Sequence, residues 1–121
     1  ASSDANTLDD YEEGNWTPVV NGQSQTGQTC RYIKIGKIVQ ISGDVTFSFT
    51  GSSGGSLSGL PFTTQTGSQS AIAVAYTTGG AMTGFVVTDN STTMALYNEN
   101  NGVVFLTGQR FIFTGTYISA N

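Results

Sequence analysis

The carboxylates are the side chains of this 121-residue sequence best placed to do chemistry, and they are unevenly spread. Five of the eight acids (Asp4, Asp9, Asp10, Glu12, Glu13) stand in the first thirteen residues. Asp9, Asp10, Glu12 and Glu13 offer hard oxygen ligands, but they lack the ligand spacing and central glycine of an EF-hand loop, so no metal is assigned to them. Glycoside hydrolysis needs two facing carboxylates. Outside the N-terminal segment only Asp44, Asp89 and Glu99 remain, the first on the polar side of a strand and the other two in turns, where solvated turn residues are the plainer reading. The chain has no histidine. That excludes a Ser-His-Asp triad and a His metal site, and it leaves Cys30 without a histidine base. No catalytic set and no cofactor is expected.

What remains is recognition without charge. Asn, Gln, Ser and Thr can hydrogen-bond sugar hydroxyls, and Tyr can stack on a sugar ring. The best stretches are Tyr76-Thr77-Thr78 and Tyr97-Asn98-Glu99-Asn100-Asn101. From them Tyr76, Thr77, Tyr97, Asn98, Asn100 and Asn101 are the candidate glycan contacts; the competing account is ordinary turn chemistry with buried tyrosines. Two Asn-x-Thr sequons, Asn15-Trp16-Thr17 and Asn90-Ser91-Thr92, are expected by chance in so polar a chain.

The elements that must position these residues are strands. Val39, Ile41, Val45, Phe47 and Phe49 alternate with Gln40, Ser42, Asp44, Thr46 and Ser48, which predicts a long half-buried strand over 39–49. Gly43 falls on its inward side, a place usually marking a bulge or a close backbone approach. Cys30–Ile35 precedes it as a second strand, and the Gly36-Lys37 turn makes the two a hairpin. Further strands are expected at 71–76, 83–88, 94–97, 103–106 and 111–118. The last carries apolar residues on both sides (Phe111, Phe113, Tyr117 against Ile112, Ile118), which predicts a central position buried on both faces. Thr7–Gly14 fits a short capped helix or an extended segment equally well, and Asn21–Thr29 reads as a loop. Trp16 reads as a hydrophobic anchor for the incoming chain.

The fold class is therefore all-β: a sandwich or jelly-roll-like domain of about eight antiparallel strands over residues 8–121, with 1–7 a linker. Charged residues are only 10% of the chain, and the net charge of −4 argues against nucleic acid. Three of the four bases (Arg31, Lys34, Lys37) surround the first hairpin and could face the acidic N-terminal segment. No apolar run approaches the ~20 residues of a membrane helix. A single cysteine points to synthesis in a reducing compartment, and a start at Ala1 reads as a fragment of a longer chain.

Three stretches carry a resemblance. Leu8-Asp9-Asp10-Tyr11-Glu12-Glu13-Gly14-Asn15-Trp16-Thr17-Pro18 is similar to the L-D-D-Y-E-E-G-T-W-T-P segment that opens a C-terminal β-domain of tailed-bacteriophage tail fibres and tailspikes, with Asn15 where Thr is commoner. Arg31-Tyr32-Ile33-Lys34-Ile35-Gly36-Lys37-Ile38-Val39 resembles that family's Y-x-K-I-G-x-x-V hairpin, and Gly59-Leu60-Pro61-Phe62-Thr63 its G-L-P-F-T. The likeness covers residues 6–63 and thins beyond. It implies the distal part of a virion fibre, assembled in the bacterial cytoplasm as a homotrimer joined to the rest of the fibre and binding host polysaccharide or lipopolysaccharide. A trimer would give a use to the small face formed by Ala71, Ala73 and Ala75. Two other classes stand beside this expectation: a capping domain that sets trimer register without touching a receptor, and a glycan hydrolase using Asp89 or Glu99.

Overall fold

The computed structural model describes residues 11–20, 22–25, 29–48, 50, 56–77, 84–97 and 108–120, with the side chains of 75–77 and 96–97 outside the description. Among the described residues there are ten strands and no helix: β1 (Tyr11–Asn15), β2 (Val19–Val20), β3 (Gln23–Ser24), β4 (Thr29–Ile35), β5 (Ile38–Thr46), β6 (Ser56–Leu57), β7 (Ala71–Thr77), β8 (Gly84–Val87), β9 (Met94–Tyr97) and β10 (Arg110–Ile118). Eight of them form one antiparallel sheet in the order β1-β4-β5-β10-β7-β8-β9-β6, which curls into a half-barrel; β2 and β3 make a separate ribbon. The all-β, sandwich-like class read from the sequence holds.

Alternation explains the elements. In β5 the side chains run exposed and buried in turn, with Val39, Ile41 and Val45 completely covered. The strand stops at Thr46 rather than at Phe49, which lies outside the described residues. Phe47 still belongs to the core and stays tied to the β10 side: its N–H donates to the Gln109 carbonyl (2.9 Å), and its carbonyl accepts from the Gly108 N–H (2.8 Å). The hairpin of β4 and β5 forms as expected, with Gly36 at φ 59° in the turn, a value glycine adopts without strain. Residues 11–15 are extended, and Gln23–Ser24 pairs within what reads as loop. The 1–7 linker and the strand expected at 103–106 lie outside the described residues.

Two expectations need correction. The first concerns Gly43. No bulge and no second backbone occupies its inward side; the ring of Phe113, its direct cross-strand partner on β10, lies there, and a Cβ at 43 would overlap it. The second concerns β10. It is central, between β5 and β7, but only Phe111, Phe113 and Tyr117 are buried; Ile112 and Ile118 face outward and are half-covered. One face of this sheet carries the core and the other does not.

The core is aromatic. Phe113 meets Trp16 edge-on at 6.1 Å and Phe85 at 5.3 Å, while Phe47 and Phe111 lie 5.0 Å apart. Full burial of a large apolar side chain contributes about 1.5–3 kcal/mol, so this group outweighs any surface ion pair. Trp16 anchors its segment as expected: it is 7% exposed, and its Nε1 donates to the Arg31 carbonyl at 3.1 Å. The segment 57–65 closes the core face. Leu57 and Leu60 are buried, and Phe62 meets Tyr32 edge-on at 5.2 Å. The buried Tyr117 hydroxyl donates to the Phe62 carbonyl (2.9 Å) and accepts from its N–H (3.1 Å). Burial pushes that phenol up to about 12. Thr64, fully buried, joins the same segment to the 88–91 turn by donating to the Thr88 carbonyl and accepting from the Ser91 N–H.

Two substitutions test this core. Gly43→Ala crowds the Phe113 ring and is expected to cost about 1–3 kcal/mol, with Phe113→Leu in the same chain recovering part of the loss; additive costs in a denaturant double-mutant cycle would contradict the contact. Tyr117→Phe leaves both main-chain groups of Phe62 unpaired and is expected to cost about 1–3 kcal/mol in the same assay.

Candidate functional site

Of the residues picked out from the sequence, Tyr76, Thr77 and Tyr97 fall at one end of the sheet. Tyr76 and Thr77 end β7, and Tyr97 ends β9. β7 and β9 both pair antiparallel with β8, so they run the same way and finish at the same end, one strand apart. The register sets Tyr97 opposite Gly84 and Tyr76 opposite Ile112. The side chains of these three, and all of Asn98, Asn100 and Asn101, lie outside the described residues, as does Glu99.

The remaining acids hold structure together. Asp44 takes two hydrogen bonds from Arg110, at 2.9 and 2.8 Å, and this guanidinium keeps its carboxyl below the usual range. Asp89 accepts from the Gly67 N–H across 22 residues. Glu12 and Lys34 are cross-strand partners, as an acidic segment beside basic residues would suggest. Yet the Glu12 carboxylate accepts from the Tyr32 hydroxyl (2.7 Å), and Lys34 Nζ sits 5.4 Å from the Phe62 ring centre and donates to the Gly36 carbonyl. Both tyrosine phenols beside β1 are pushed up by the carboxylate they bond, Tyr32 by Glu12 and Tyr11 by Glu13. Cys30 is buried, and desolvation raises its thiol to about 11.

A different site emerges on the face of the sheet away from the core. Its residues are placed by register. Glu13, Ile33 and Gln40 stand opposite one another across β1, β4 and β5, and Asn15, Arg31 and Ser42 form the adjacent row. Partners in such a row project to the same side. Between the rows run Gly14, Tyr32 and Ile41, whose backbone forms the floor because the side chains of Tyr32 and Ile41 belong to the other face and Gly14 has none. Together they enclose an open groove of about 350 Å³. No carboxylate lies within ion-pair distance of Arg31 among the described residues. Glu13 accepts from the Tyr11 hydroxyl. The groove could not be read from the sequence because its six side chains come from three strands and alternate with core residues; register alone unites them.

The same face differs on its two sides. One row at the hairpin end is apolar, with Tyr11, Ile35 and Ile38 from 42 to 52% exposed and Ile118 beside them. Over β7 to β9 the outward positions whose side chains are described are Ala71, Ala73, Gly84, Val86 and Ala95, flanked by Thr114 on β10, while the register sets Tyr97 in the row of Gly84 and Tyr76 opposite Ile112.

Fold and site together define an all-β domain with one continuous curled antiparallel sheet, covered on its core face and, among the described residues, uncovered on the other. Compared with protein-family models, curated proteins and solved structures, the chain matches none.

Burial of Cys30 and the Asp44–Arg110 pair each give a measurable consequence. A thiol reagent at pH 8 is expected to modify the native protein far more slowly than the unfolded chain; equal rates would contradict a buried thiol. Because the Asp44 carboxyl titrates below its unfolded value, what the pair contributes is present above the ordinary carboxylate range and is lost as pH falls through the lowered pKa. Both partners are nearly half exposed, so Arg110→Gln is expected to cost at most about 1 kcal/mol at pH 7 and less at pH 2, read by denaturant melts.

Proposed function

We propose that this chain is the distal domain of a bacteriophage tail fibre or tailspike, a non-enzymatic module that binds bacterial surface glycan as a homotrimer within the virion. The observation that carries the proposal is the meeting of the three resembling stretches. The opening stretch supplies β1, which pairs along its whole length with β4 of the second stretch. Trp16 then packs into the core, and Val19 exchanges two backbone hydrogen bonds with Ser58, at 2.9 and 2.8 Å. Gly59, the first residue of the third stretch, has φ 92° and lies so close to the Thr17 carbonyl that a side chain there would clash with it. Phe62 from the same stretch caps Tyr32 and Lys34 of the second. Segments up to about fifty residues apart thus form one packed unit, which supports reading the three likenesses together.

The sheet face that no described residue covers supports a trimer. A monomer gains nothing from exposing an apolar row, and the outward Ala71, Ala73, Val86 and Ala95 leave room for a neighbouring copy over that part of β7 to β9. Three identical copies would strengthen weak glycan contacts by avidity. The capping reading shares this assembly and differs only in lacking a receptor contact.

Light scattering on the purified chain is expected to give the mass of three copies, and the folded trimer is expected to adsorb to host cells. A folded monomer in dilute buffer would overturn the assembly. A stable trimer that adsorbs to no host cell or purified surface polysaccharide would leave only the capping reading standing.

A further inference from the structure

We infer that the groove over β1, β4 and β5 is a saccharide site whose ligand is uncharged and offers neighbouring hydroxyls. The inference rests on the glycan-binding reading above and moves its contact away from the loops beyond β7 and β9. Four of the groove's side chains end in planar polar groups with two atoms side by side: Glu13, Asn15, Arg31 and Gln40. Such groups suit two adjacent sugar hydroxyls, each of which both donates and accepts. Glu13 contributes acceptors only, Arg31 donors only, the two amides both, and Ser42 a hydroxyl. Ile33, 38% exposed, gives an apolar patch between them for the C–H face of a sugar ring.

The charge sets the ligand class. One carboxylate and one guanidinium leave the groove formally neutral, in a chain of net charge −4. A uronic acid or phosphate would gain Arg31 but meet Glu13, which stands one row along and is held in place by Tyr11. A neutral sugar meets neither conflict. At about 350 Å³ the groove is at the small end of ligand sites, enough for a short saccharide rather than a long chain. Its backbone needs no ordering, since all six side chains stand on strands of one sheet.

Amide NMR of the whole chain, titrated separately with the methyl glycosides of glucose, galactose and mannose and with glucuronic acid, tests this directly. The expected result is a saturable shift at Gly14, Arg31, Tyr32, Ile33 and Ile41 with at least one neutral glycoside. Arg31→Ala and Gln40→Ala are each expected to weaken that binding about tenfold with the melting temperature unchanged, the loss of one hydrogen bond to a charged or amide group. Shifts confined to residues 97–101 would overturn the groove while leaving glycan recognition intact. A groove responding only to glucuronic acid would overturn the neutral-ligand assignment, and silence towards all three neutral glycosides would overturn the site. Adsorption of the same protein to host cells reads the parent proposal independently. Should Arg31→Ala fail to fold, Ser42→Ala and the shift map of the unaltered chain decide the matter.

Discussion

The contact between the Phe113 ring and the bare backbone of Gly43 governs this structure. It joins residues seventy positions apart, at the centre of the longest pairing in the sheet. Strand pairing is tolerant of slippage unless one register is much better than its neighbours, because a shift of one residue turns every side chain to the wrong face. Here the better register is defined by shape. A large ring needs a vacancy opposite it, and β5 offers one inward glycine between Ile41 and Val45. Once the ring is seated, it fixes the incoming Trp16 on one side and Phe85 of β8 on the other. The two halves of the sheet are thereby set relative to a single side chain.

The consequence for function lies on the opposite face. Fixing β5 against β10 and β4 against β5 also fixes which outward residues stand abreast. Asn15, Arg31 and Ser42 align only because Gly14, Tyr32 and Ile41 do, and these are held by the core. The backbone beneath the groove is fixed by the sheet, unlike that of a loop. The polar groove over β1 to β5 and the alanines and valine over β7 to β9 divide one face into two chemically different parts.

Much of this was legible in the sequence, because alternation directly encodes which face a residue takes. β4, β5, β7, β8, β9 and β10 all stand close to where their patterns put them, and Trp16 anchors as its size and isolation suggest. Alternation does not encode neighbours. That β10 would insert between β5 and β7, and that Arg31 would stand beside Asn15, depends on long-range pairing that no local pattern states. Gly43 was visible as an anomaly, but its explanation lay in a residue seventy positions away. The both-sided apolar pattern of β10 misled for a related reason: Ile112 and Ile118 look like core residues, yet no layer of this chain covers them among the described residues.

The segment 57–65 shows how the same constraint reaches the edge of the domain. Its backbone bonds alternate between distant partners: Ser58 with Val19, Leu60 with Thr92, Thr64 with Ser91, Gln65 with Ile118. Proline at 61 could not donate within a ladder, and it has no need to, since beyond Leu57 of β6 the segment crosses strands instead of extending one. Phe62 can then reach Tyr32 and Lys34 while its own N–H and carbonyl are satisfied by Tyr117. A chain with few charges and many glycines cannot rely on surface ion pairs for specificity, because exposed pairs contribute at most about 1 kcal/mol. It gains uniqueness from buried, fully paired polar contacts at such crossings, where one misplaced residue strands a donor and an acceptor together. The opening stretch, the hairpin and this crossing segment are therefore mutually dependent: among the described residues β1 has its only sheet partner in β4, and Phe62 closes the core beside them.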